Sequence, residues 1–179
     1  KQPAADEQLD GRVQPHSIDA ERSALGACLL APDAWACVAS VLGAADFFRD
    51  AHRRIFRAMA RLTDAGQPID LVLLRDALHV TGDLEEIGGP AYLASLVDGV
   101  PTGTNASYYC SVVREKAGLR AVISATTQIE SDAYAQDPLA EVLESGVRRL
   151  LALAEPPASG SVRIAAALRE VSLTEDGRI

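Results

Sequence analysis

Aromatic residues make up only 4% of this sequence, three Phe, one Trp and four Tyr. That scarcity argues against a sheet-built fold, in which aromatic and β-branched residues are enriched. Only three cysteines are present, Cys28, Cys37 and Cys110, with no C-x-x-C pair and no His at zinc-ligand spacing. They read as small buried hydrophobes in a reducing compartment. His16, His52 and His79 are equally scattered, so neither a metal centre nor a Cys-His nucleophile is expected. No G-x-x-x-x-G-K-[ST] loop occurs, which excludes ATP hydrolysis by that phosphate-cradling route in this segment. No apolar run approaches the ~20 residues that span a bilayer, and no basic stretch followed by an apolar core opens the chain. A cytoplasmic location is the resulting expectation.

Positive charge is also in deficit. Seventeen Lys and Arg stand against 25 Asp and Glu, a net charge of -8, whereas tight nucleic-acid binding draws on clustered cations. Little direct DNA binding is expected. The basic residues that do cluster, Arg49, Arg53, Arg54, Arg57 and Arg61, alternate with Asp46, Asp50 and Asp64 at helical spacing. They read as a solvated face rather than a phosphate-contacting patch.

What is present is helix-forming material. Ala, Leu, Val, Arg and Glu dominate, 48% of the 179 residues are hydrophobic and 23% charged, and the length suits one or two domains with a real core. The expected fold is all-α, a small N-terminal helical bundle followed by a long antiparallel helical hairpin and a short linker helix. The expected organisation is a loose polar tail over 1–14, the bundle over 15–103, the hairpin over 104–155, and a linker with its helix over 156–179. A first residue of Lys1 rather than Met fits a fragment.

Punctuation places the elements. Ser17 caps a helix through Leu30, with Ile18, Ala24, Leu25, Cys28 and Leu29 at steps of three and four. Pro32 opens a short helix carrying Trp35, Val38, Val41 and Leu42. A third runs from Asp50 to Ala65 with Ile55, Phe56, Met59 and Leu62 as its apolar stripe, stopped by Gly66. Asp70 caps a fourth over Leu71 to Thr81, and Pro90 opens another that ends near Gly99. Phe47, Phe48, Trp35, Phe56 and Tyr92 are expected in the core.

From Asn105 to Ala135 there is no Pro and only Gly118, so one helix of about thirty residues is expected, against a usual length of ~11 to 12. Gly118 inside it costs roughly 0.8 to 1 kcal/mol relative to Ala unless it serves a close helix approach. Asp137-Pro138 then starts a second long helix with Leu139, Val142, Leu143, Val147, Leu150, Leu151 and Ala154 at helical spacing. Two helices alone bury one stripe, so the surplus apolar surface needs either the bundle or another subunit. After Glu155, PPASGS marks a linker, and Val162, Ile164, Ala165, Leu168, Val171 and Leu173 form an amphipathic stretch too short to be stable unaided.

The ordered succession PHSIDAERSALGACLL, DFFRDAHRRIFRAM, GQPIDLVLLRDAL, GDLEEIGGPAYLASL, VPTGTNASYY and VVREK, continuing to about Leu153, resembles the N-terminal domain of DnaB-type replicative DNA helicases. The resemblance implies a ring of six whose N-terminal bundles and hairpins form a collar over RecA-like motors. ATP and magnesium belong to that motor, and no cofactor is implied here. The implied partners are further copies of the chain, primase, a helicase loader, and the RecA-like motor domain of a neighbouring subunit.

On that basis the hairpin face of Tyr109, Val112, Val113, Leu119 and Ile123, opposed by Val142, Leu143 and Leu150, is expected to carry subunit association. Ile164, Leu168 and Val171 are expected to dock on the motor. The final segment TEDGRI departs from the family's usual approach to its motor domain. Two other readings stand beside this one. A stand-alone adaptor or regulator of helicase assembly would stop naturally near Ile179, and a small enzyme using the scattered Cys and His would need bound zinc or a reactive thiol.

Overall fold

The structure, a computed structural model, describes residues 12–31, 33–98 and 105–154. Among them there are eight α-helices and one 3-10 turn and no strand. The helices are α1 (Ile18–Leu30), α2 (Ala34–Val41), α3 (Asp50–Asp64), α4 (Leu71–Val80), α5 (Asp83–Glu86), α6 (Gly89–Asp98), α7 (Ala106–Tyr134) and α8 (Leu139–Ala154); the 3-10 turn is Ala44–Asp46. The all-α expectation holds. Residues 1–11, Pro32, residues 99–104 and everything expected of 155–179, including Ile164, Leu168 and Val171, lie outside the described residues.

Local chemistry explains most boundaries. The Ser17 hydroxyl accepts from Ala20 N, and the Asp70 carboxylate accepts from Val72 N and Leu73 N at 2.8 Å each, so both helices start on a side-chain cap. At the end of α3, Gln67 N donates to Leu62 O and Gly66 N to Thr63 O, with Gly66 at φ 68°, a left-handed stop that Gly adopts without strain. The end of α7 repeats this bond pattern, Asp137 N to Asp132 O and Gln136 N to Ala133 O, but the left-handed residue is Gln136 at φ 61°. The side chain makes that stop costlier. Two short elements went unexpected, the 3-10 turn and α5, each too brief to show a hydrophobic period.

The chain separates into two compact units, Lys1–Gly118 and Leu119–Ile179. In the first, Leu25, Val38, Phe47, Ile55, Met59, Leu74, Leu78, Leu93 and Leu96 are fully buried in one cluster. Each such side chain is worth roughly 1.5–3 kcal/mol when removed from water. Phe47 and Phe56 lie in this core as expected, while Trp35 and Tyr92 are half-buried against it and Phe48 stacks on His16 at 4.3 Å. Ala106, Cys110 and Val113 belong to the same cluster. The bundle therefore continues through the first turns of α7 rather than ending at residue 103.

In the second unit, α8 runs back along α7. Arg149 pairs with Asp132 at 2.9 Å, and Gly146 lies where an added Cβ would stand 3.1 Å from Ile129 Cδ1. The missing side chain of Gly146 is what permits this approach. Only Val142 and Gly146 of α8 are buried.

Candidate interaction surfaces

The bundle is braced by a polar network that no local spacing announces. Glu21 on α1 is buried, and its carboxylate accepts from Phe48 N at 2.6 Å and Arg49 N at 3.3 Å, capping α3 from another helix. His52, fully buried on α3, places Nδ1 2.6 Å from the same carboxylate and Nε2 2.7 Å from the Tyr92 hydroxyl on α6. Arg49 donates to that hydroxyl at 3.3 Å and lies over the Tyr92 ring. With the imidazole neutral, Nδ1–H donates to Glu21, Nε2 accepts from Tyr92, and the phenol oxygen accepts from Arg49, so each partner is satisfied. Burial pushes the Tyr92 phenol up from its ordinary pKa and keeps it a donor. A carboxylate, an imidazole and a phenol are also catalytic types, but here they are consumed in tying three helices together.

The arginine cluster is similarly spent. Arg53 Nε donates to Phe47 O at 2.7 Å, and Arg54 grips Asp50 at 2.6 Å as well as Asp83 on α5. The Thr81 hydroxyl and the Arg54 guanidinium hold the Asp83 carboxyl below its usual range. Arg57 and Arg61 are exposed. So α3 offers a bracing surface with two outward cations rather than a uniformly solvated face.

Two of the three thiols are shut in the core. Cys28 and Cys110 are buried, and burial pushes both up from 9.0 to about 12. Cys37 is half-buried. Among the described residues no three His, Cys, Asp or Glu side chains gather where a metal could be held. The hollow of about 260 Å³ between the helices of the second unit, lined by Asp132, Asp137, Glu141, Val142, Ser145 and Arg149, is polar and already holds the Asp132–Arg149 pair. No helix among the described residues is long and apolar enough to cross a membrane.

The hairpin is where apolar surface is left over. On α8, Leu143 is 58% and Leu150 41% exposed, and Leu139, Val147 and Leu151 continue the same open stripe at helical spacing. On α7, Leu119 is 44% and Ile123 36% exposed, with Val122 beside them. Exposed apolar residues recurring at helical spacing in this way mark a contact surface.

The eight hairpin positions expected at an interface thus divide. Leu119, Ile123, Leu143 and Leu150 are open; Tyr109 is half-buried; Val112 is half-buried against the bundle core; Val113 is 1% exposed within that core; and Val142 faces inward between α7 and α8 at 9%. Val113 is closed to other chains because α7 enters the bundle on that side. Leu119, six residues further on, lies about 120° away round the helix.

Comparison with known proteins bears on this geometry. Residues 13–115 match the family model described as DnaB-like helicase N terminal domain. The chain is 40% identical over 153 residues to the replicative DNA helicase DnaB of Geobacillus stearothermophilus, covering 85% of this chain and 34% of that protein. It is 38% identical over 148 residues to the replicative DNA helicase DnaC of Bacillus subtilis (strain 168), covering 82% and 33%. The chain therefore spans about a third of the length of these curated relatives.

Among solved structures, the crystal structure of the N-terminal domain of DnaB helicase from Mycobacterium tuberculosis superposes with a TM-score of 0.74 at 39% identity. The match covers 78% of this chain and 99% of that one. A DnaB-like replicative helicase studied for its interactions with primase superposes at 0.64 and 24% identity, over 91% of this chain and 36% of that one, a likeness of fold.

Proposed function

The chain belongs to the family of DnaB-like helicase N-terminal domains, and from that membership we propose that it is the assembly and protein-interaction module of a hexameric replicative DNA helicase. The observation that carries this reading is the open apolar stripe of the hairpin, Leu119 and Ile123 on α7 with Leu143 and Leu150 on α8. A second copy of the hairpin covers it. Val142 supports the contact from inside the hairpin, Tyr109 sits at its margin, and Val112 and Val113 anchor the base of α7. Burying a Leu or Ile fully gains roughly 1.5–3 kcal/mol. Several together outweigh the ~4–15 kcal/mol that association costs in lost motional freedom only if the whole stripe is covered.

In the assembled collar, primase and a helicase loader are the proposed protein partners. A RecA-like motor domain, outside this chain, binds ATP and magnesium and moves on DNA. Ile164, Leu168 and Val171 dock on the motor of the neighbouring subunit. The net charge of -8 supports protein contacts over a direct grip on DNA.

Replacement of Leu143 and Leu150 together by Asp tests the reading by sedimentation velocity. The expected result is loss of self-association with unchanged helical circular dichroism, because both side chains are open in the single chain. A variant that associates as the wild type does would refute the assignment.

A further inference from the structure

We propose that Arg22 and Arg49 form a binding site for an oxyanion, a carboxylate or a phosphate, on the face of the bundle where α1 packs on α6 beside the start of α3. Arg22 stands on α1 and donates from Nη2 to Ser95 O on α6 at 3.0 Å. Arg49, just before α3, donates from Nη1 to the Tyr92 hydroxyl at 3.3 Å and lies over the Tyr92 ring. Tyr92 and Ser95 are one turn apart on α6, where the Ser95 hydroxyl donates to Tyr92 O at 2.7 Å. Two half-buried guanidiniums are therefore held along a single turn of one helix.

Neither cation has a carboxylate. Among the described residues Arg54, Arg75, Arg114, Arg148 and Arg149 each hold an acid, but Arg22 and Arg49 make no ion pair. Glu21, the neighbour of Arg22 in sequence, is already engaged by Phe48 N, Arg49 N and His52 Nδ1. A guanidinium carries five N–H donors. Each of these two has one bond, and Arg22 Nε is buried with no acceptor. A buried donor left unpaired is costly, and in a native structure it calls for an ion or a water. Burial raises the pKa of the Tyr92 phenol, and Arg49 and Arg22 each pull it back down, so both charges act on the same hydroxyl. With His52 neutral, Glu21, Arg22 and Arg49 sum to +1 within a chain of net charge -8. One oxyanion cancels that local charge, and the planar fork of a guanidinium matches its oxygens. The oxyanion has two available sources, a phosphate from solution or the chain's own Asp6, Glu7 and Asp10. His16 stacks on Phe48, the residue before Arg49, and Asp10 lies six residues earlier, within about 20 Å along an extended chain.

Titration of the full chain with sodium phosphate at constant ionic strength, read by NMR at the Nε–H resonances of Arg22 and Arg49, tests this. Saturable shifts at both, with a Kd on the order of 1 mM, are the expected result. Binding should weaken about tenfold or more in Arg22→Gln and stay unaltered in Arg57→Gln, whose side chain is exposed. A chain carrying Asp6→Asn, Glu7→Gln and Asp10→Asn separates the two sources. If that neutralisation shifts the Arg22 and Arg49 resonances before any phosphate is added, the chain's own carboxylates occupy the site; if the resonances hold still and phosphate then moves them, the ligand is a free anion. The wild-type and neutralised chains both keep the two arginines, so this reading does not depend on how Arg22→Gln folds. Resonances that neither neutralisation nor phosphate moves saturably overturn the site, and so do equal losses of binding in Arg22→Gln and Arg57→Gln.

Discussion

Glu21→Ala is the most searching substitution in the bundle, because one buried carboxylate holds three donors, one on α3 and two on the residues just before it. Two of those bonds, from Phe48 N and from His52 Nδ1, measure 2.6 Å, and the third, from Arg49 N, is longer at 3.3 Å. Removing the acceptor leaves His52 Nδ1 buried and Phe48 N half-buried without partners, at up to about 1–3 kcal/mol each. The neighbouring helix also loses the negative charge at its N-terminus. Relief from burying a carboxylate offsets part of this, leaving a net loss of about 2–5 kcal/mol.

Urea denaturation followed at 222 nm reads the effect. With a slope of about 2 kcal/mol per molar, a loss of about 4 kcal/mol moves the midpoint down by about 2 M. Protein concentration must be held constant, since association adds to apparent stability. Glu21→Gln should fall in between, because the amide oxygen can still accept from Phe48 N while its NH2 faces His52 in the other tautomer. A midpoint for Glu21→Ala within the equivalent of about 0.5 kcal/mol of wild type, the range of ordinary surface changes, would refute the bracing role.

Other expectations follow from single positions. Gln136→Gly should stabilise the hairpin by about 1 kcal/mol, because Gly adopts the left-handed conformation at the end of α7 without strain; an unchanged thermal midpoint would contradict this. Gly146→Val should destabilise by about 1–3 kcal/mol, since even a Cβ there stands 3.1 Å from Ile129; a neutral result in urea would mean the helices part at little cost. In native protein a thiol reagent at pH 8 should modify Cys37 first and leave Cys28 and Cys110 untouched until urea is added. Their raised pKa values give stability that is present below pH 9.0 and declines as pH rises from there toward about 12, because only the unfolded thiols ionise in that window; a flat stability profile across it would be the contrary outcome.

What the sequence made legible was local. Ser17, Asp70 and Gly66 act within four residues of the helix ends they define, and their roles can be read without tertiary information. The long α7 and its return in α8 were equally plain, from an uninterrupted period and the Asp137-Pro138 turn. The Glu21–His52–Tyr92 network was illegible because its members stand 31 and 40 residues apart, and a lone His on an amphipathic helix carries no mark of its partners. The signal that could have raised it was Glu21 itself, a carboxylate on the otherwise apolar side of α1. Likewise Val112 and Leu119 share an apolar character and one face of α7, and only the extent of the bundle decides that one packs on its core and the other is open. Gln136 shows the reverse case, a left-handed stop without the glycine that would have announced it.

The central claim is that the open stripe of the hairpin exists to be covered by a second copy of this chain. Light scattering across a concentration series reads it directly. The account predicts a mass that rises from 18.9 kDa toward a dimer or a higher multiple as concentration increases, and that reverts to the monomer when Leu143 and Leu150 are both replaced by Asp. A wild-type chain that stays at 18.9 kDa at the highest concentration reached would contradict it.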